Sequence, residues 1–207
     1  VSFYPALSQF SESSKEKFQD IWNHELEVMI SIALPLMVGG WIFAEKIIHS
    51  FYSTSFTPSI LAFQILILTV GSIFLYRPFY DAMIILNQQA KTFWITFFGA
   101  VVNIILNLIL IPKYTLYGAA WATVVTNLLI LAVIVFYTQK FTFIQLPYLR
   151  IFLTFLISGA ASVLMYFAIR QLFIYSINIF LLFLVGSAVY FFSLSMIKKY
   201  ILIYVEK

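Results

Sequence analysis

Six stretches of the chain, at roughly 28–48, 60–86, 93–112, 115–138, 151–169 and 176–197, are apolar almost throughout. A helix rises about 1.5 Å per residue, so some 20 apolar residues cross the roughly 30 Å of bilayer hydrocarbon. Runs of that length specify an all-α integral membrane protein with six transmembrane helices. Composition agrees: 63% of residues are hydrophobic and 10% charged, against about 25% charged in a soluble domain. Aromatics at 19% suit lipid-facing surfaces and interfacial belts. The absence of cysteine removes disulfides, thiolate metal sites and a cysteine nucleophile. The net charge of +4 is spread along the loops, so it reads as membrane topology and not as a nucleic-acid footprint.

Ahead of the first run lies SESSKEKFQDIWNHELE. Ser13 and Glu16 fit a capping box, and Phe18, Ile21, Trp22 and Leu26 recur at helical spacing. This segment is either an amphipathic helix on the membrane surface or the cytoplasmic start of the first span. The chain thus divides into 1–27 and a six-helix unit, 28–207. Along a six-span path, Lys15, Lys17, Lys91, Lys140, Arg150, Lys198, Lys199 and Lys207 fall on one side, and Lys46, Lys113 and Arg170 on the other. Lys and Arg accumulate in cytoplasmic loops, so both ends are expected inside.

The third run carries Thr92, Thr96, Gly99, Asn103 and Asn107 at helical spacing, giving one small or polar face that avoids lipid. That face either packs on another helix or lines a wet cavity. Gly118, Ala122 and Thr126 in the fourth run, and Thr154, Ser158 and Ser162 in the fifth, are expected at helix contacts. Pro35 removes one backbone hydrogen bond from the first span, permitting a kink or close packing near Gly39 and Gly40.

Arg77 and Asp81 stand four residues apart around Pro78, inside the cytoplasmic half of the second run. A lone charge there costs at least about 2.5 to 3.5 kcal/mol on insertion scales, and Asp81 one turn on offers a partner. The pair is either a structural ion pair or a cavity-facing arginine whose planar fork fits an anionic head group. Pro78 also leaves the carbonyl of Phe74 without its helical donor, a role open to the guanidinium or a neighbouring helix. His24 and His49 are isolated, and no phosphate loop, nucleophile elbow or catalytic carboxylate pair is present, so neither an enzyme nor a cofactor is expected. Glu25 and Glu27, beside His24, read as a solvated helix face.

FYPALSQF, ALPLMVGGWIFAEKIIHSFYS and NQQAKTFWITFFGAVVNIILNLILIPKYTLYGAAWATVVTNLL together resemble the C-terminal part of polysaccharide flippases of the MOP superfamily, the Wzx-like transporters. The run NIILNLILIP leading into YGAAWAT carries most of the likeness, which covers roughly residues 1–145; the last two spans match by hydropathy only. The resemblance implies a transporter of about 12 to 14 helices in two lobes around a central cavity. It implies alternating access that moves undecaprenyl-diphosphate-linked oligosaccharide across the cytoplasmic membrane of a bacterium, for surface polysaccharide of the cell envelope. Residues 1–10 become the end of a preceding helix, and an N-terminal lobe is expected as partner beside membrane lipid. Arg77 with Asp81, Lys91 near the inner mouth, and Asn103 and Asn107 become candidate substrate-binding residues. A MATE-type drug or cation antiporter half, a membrane-embedded transferase and a helical scaffold stand as alternatives.

Overall fold

The computed structural model describes residues 3–172 and 179–205, without the side chains of residues 172, 179, 180 and 198–205. The side chains of Lys198 and Lys199, the whole of Lys207, and the start of the sixth run at 176–178 lie outside what is described. Every long element is a helix: α1 (Phe3–Phe10), α2 (Lys15–Phe51), α3 (Ser59–Ile85), α4 (Gln89–Phe141), α5 (Tyr148–Leu172) and α6 (Ile179–Val205). By length and composition four of these, α2 to α5, suffice to cross a membrane, and α6 holds a shorter apolar stretch, Leu181–Ile197.

The amphipathic segment is the start of the first span, because α2 runs unbroken from Lys15 through Pro35 to Phe51. Its cap is Ser14, one residue later than the expected box. Ser14 Oγ accepts from the Lys17 N–H, while the Ser13 hydroxyl turns back to the carbonyl of Gln9. The far end of α3 closes in a Schellman motif: Gln88 N–H donates to the Met83 carbonyl at 2.7 Å and Asn87 N–H to that of Ile84 at 3.0 Å. Asn87 takes the left-handed conformation this demands (φ 59°).

The 53 residues of α4 are two spans joined by a sharp bend. Thr115 has φ 51° and ψ −124°, a region that costs a β-branched residue about 1 to 3 kcal/mol. The arms, 89–114 and 116–141, fold back on each other. Asn103 Nδ2 reaches Thr126 Oγ1 at 3.2 Å, and a side chain at Gly118 would collide with the Leu110 backbone. The small faces of the third and fourth runs therefore meet each other.

Lipid is as apolar as leucine, so helix association rests on close packing and interhelical hydrogen bonds. Gly40 lies under Ile67 and Gly71 under Met37, bringing α2 and α3 together. Ser158 donates to Ser31 at 3.2 Å and Tyr190 also donates to the Ser31 carbonyl, tying α5 and α6 to α2. Thr154, Ser158 and Ser162 are all buried, as packing requires. The largest core joins α1, α2, α3 and both arms of α4 through Leu7, Trp22, Leu26, Phe79, Ile95 and Ile134. At this end Gln19 binds both backbone groups of Gln145, at 2.9 and 3.0 Å, and Lys15 and Lys91 sit 5.4 and 4.1 Å from the rings of Phe143 and Phe141. Lys15, Lys91 and Lys140 thus share one end, while Tyr117 bonds the Pro58 carbonyl at the other.

Candidate functional site

The charged residues inside the bundle gather where α2 crosses α3. Arg77 Nε donates to Asp81 Oδ2 at 2.7 Å. The two partners are unequal: 58% of the Arg77 side chain is exposed and 7% of the Asp81 side chain. The guanidinium therefore spends one donor on Asp81 and turns outward with the rest. Pro78 between them is buried, and its carbonyl accepts a 3.0 Å hydrogen bond from Trp22 Nε1 of α2, whose ring meets Phe79 edge-on at 5.2 Å. The cross-helix donor expected near the proline thus goes to the carbonyl of Pro78, not of Phe74, and Arg77 is committed to Asp81.

One turn beyond Trp22, on the same face of α2, lies Glu25. It is 2% exposed, and its Oε2 has no hydrogen-bond partner among the described residues. This overturns the solvated-face reading of Glu25 and Glu27: His24 is exposed and Glu27 half-buried, but Glu25 points inward. Asp81 and Arg77 are the charges close enough to act on it. Sequence reasoning missed Glu25 because its neighbours are charged, although Phe18, Trp22 and Leu26 already mark that face as the buried one.

Lys91 and the asparagines form a second group, on the first arm of α4. Lys91 donates to Gln88 Oε1 and stands at one end of a cavity of about 390 Å³ between the arms, with Trp94, Phe98, Gly99, Thr126 and Tyr137 among its walls. A cation at the mouth of an apolar groove suits an anionic head with an apolar chain behind it. Asn103 binds Thr126, and Asn107 Nδ2 donates to both oxygens of Asn103 at 2.9 Å. Asn103 thus ties the two arms together, and Asn107 braces it from one turn further along the same arm. Among the described residues, no hydrogen bond joins this group to Arg77 and Asp81.

No protein-family model matches this chain. An uncharacterized membrane protein of Methanocaldococcus jannaschii, MJ1375, is 33% identical over 102 residues, 48% of this chain and 24% of that protein. The probable low-salt glycan biosynthesis flippase Agl15 of Haloferax volcanii is 24% identical over 154 residues, 72% of this chain and 32% of that protein. Among solved structures, the lipid II flippase MurJ in its inward closed conformation superimposes with a TM-score of 0.77 and 19% identity, over 98% of this chain and 44% of that one. That likeness shows the fold. The chain spans 24% and 32% of the two curated relatives' lengths.

Proposed function

We propose that this chain is one lobe of a flippase that moves a lipid-linked oligosaccharide across the cytoplasmic membrane by alternating access. The observation that carries the reading is the superposition of 98% of the chain on part of a lipid II flippase at a TM-score of 0.77. The alignment with a probable glycan biosynthesis flippase supports it. The Wzx-like assignment, an undecaprenyl carrier, a bacterial source and both ends cytoplasmic are finer parts of the same proposal, as is a second lobe closing the cavity. In it Arg77, held by Asp81 and half-exposed, contacts the diphosphate, and Lys91 receives it at the mouth of the α4 groove; Asn103 and Asn107 line the route. The protein acts as a transporter and not as an enzyme.

The test uses the full-length protein in proteoliposomes with a fluorescent lipid-linked oligosaccharide. Exposure of the probe to an impermeant quencher should rise above that in empty vesicles, and Arg77→Gln should reduce it. A rate equal to empty vesicles removes the proposal. A cation antiporter in the same architecture gains one argument from Glu25, since such a transporter needs buried acids. Uptake of a cationic dye by the same vesicles, without glycolipid movement, would select it.

A further inference from the structure

The Arg77–Asp81 pair leaves a third charged group unanswered. Glu25 is 2% exposed, and among the described residues its Oε2 meets neither donor nor cation. Arg77 has already met Asp81 at 2.7 Å and turns most of its surface outward. With both carboxylates ionised, the three groups hold one uncompensated negative charge in a low-dielectric setting, an unfavourable arrangement. Among the described residues, Asp81 and Arg77 are the charges that act on Glu25; Lys91 on α4 binds Gln88, and Arg150 at the start of α5 is exposed.

We propose that Glu25 is a proton-binding site, and that one proton from the aqueous phase resides on its carboxyl in the state seen here. The step is a simple addition: an O–H bond forms on the carboxylate, its negative charge is neutralised, and nothing leaves. Protonation also converts the orphan acceptor into a donor. A proton fits better than a divalent ion, because calcium needs several oxygen ligands, carboxylates foremost, and, among the described residues, no group of three acidic or histidine side chains exists. Since Trp22, one turn away, holds the carbonyl of Pro78, a change of charge at Glu25 acts where α2 grips α3. Any role of this proton in driving transport rests on the flippase reading; the binding itself does not.

The experiment is infrared difference spectroscopy on the full-length protein in liposomes, titrated through the neutral range without glycolipid. A protonated-carboxyl stretch should be present in the wild type, vanish in Glu25→Gln and persist in Asp81→Asn. Carbon-13 labelling of glutamate side chains should move that band in the wild type, which assigns it to a glutamate and not to an aspartate such as Asp81; Glu25→Asp should keep a carboxyl band that this label no longer moves. Persistence of the band in a folded Glu25→Gln protein, its absence from the wild type throughout, or its loss on exchanging potassium for sodium overturns the proposal. A wild-type protein that shows the band yet moves no glycolipid leaves the proton site standing and removes the flippase reading alone.

Discussion

Asp81 is the partner that the fold shuts away from water, and this decides which substitution at the pair is harmful. Removing the guanidinium leaves a buried carboxylate alone; removing the carboxylate leaves an arginine already 58% exposed. Arg77→Gln should therefore destabilise the purified protein by about 1 to 3 kcal/mol, and Asp81→Asn by much less. The double variant should be more stable than Arg77→Gln alone. Thermal unfolding in detergent completes the cycle, and equal costs for the single variants would show that Asp81 reaches water. Trp22→Phe keeps the ring contact with Phe79 but loses the bond to the Pro78 carbonyl. It should lower stability by about 0.5 to 1.5 kcal/mol in the same measurement. The charge pair itself was legible from spacing, because carboxylate and guanidinium four residues apart on a helix meet. Glu25 was legible only in part: Phe18, Trp22 and Leu26 mark its face of α2 as buried, but its charged neighbours mask the signal, and only the packing of α3 against Trp22 shows what covers it.

At the scale of the element, the α4 hairpin depends on backbone approaches that only particular residues permit. A methyl at Gly118 would strike the Leu110 backbone, which no rotamer change relieves, whereas nothing lies within 4 Å of a methyl built on Gly159. Gly118→Ala should separate the arms and lower the melting temperature sharply. Gly159→Ala, mid-helix in α5, should raise stability by about 0.5 to 1 kcal/mol, because alanine loses less backbone freedom on folding. Thr115→Gly should relieve the strain at the bend and, after the entropy that glycine adds to the unfolded chain, stabilise by up to about 2 kcal/mol. A loss of stability would mean that its side chain serves the turn. The sequence announced the small faces of both arms through their spacing, and hydropathy placed the break between them near 112–115. Hydropathy does not reveal that the polypeptide remains helical on either side of one strained residue. Pro112 lies within the first arm, and the bend falls at Thr115 instead.

For the whole molecule, the distribution of cations makes a prediction about sides. Lys15, Lys91 and Lys140 gather at the end where α2 begins and both arms of α4 terminate, packed on the rings of Phe143, Phe141 and Phe136. Lys113 lies at the opposite turn of the α4 hairpin, two residues before Thr115. The order of spans that hydropathy supplied was enough to sort these cations, since a misplaced span would have mixed the two ends; their contacts with particular rings required the fold. If positive charge is retained in the cytoplasm, Lys140→Cys in a cysteine-free background should react with an impermeant maleimide only after the membrane is opened. Lys113→Cys should react in intact cells. The two positions are 27 residues apart on one hairpin, separated by a single span of about 36 to 40 Å of helix, so they test opposite faces with one element. Labelling of both in intact cells would remove the six-span path, whereas the reversed pattern would keep the path and invert the protein. Inversion would carry Arg77 and Glu25 to the outer half of the bilayer, and the arginine proposed to receive a cytoplasmic substrate would stand at its exit.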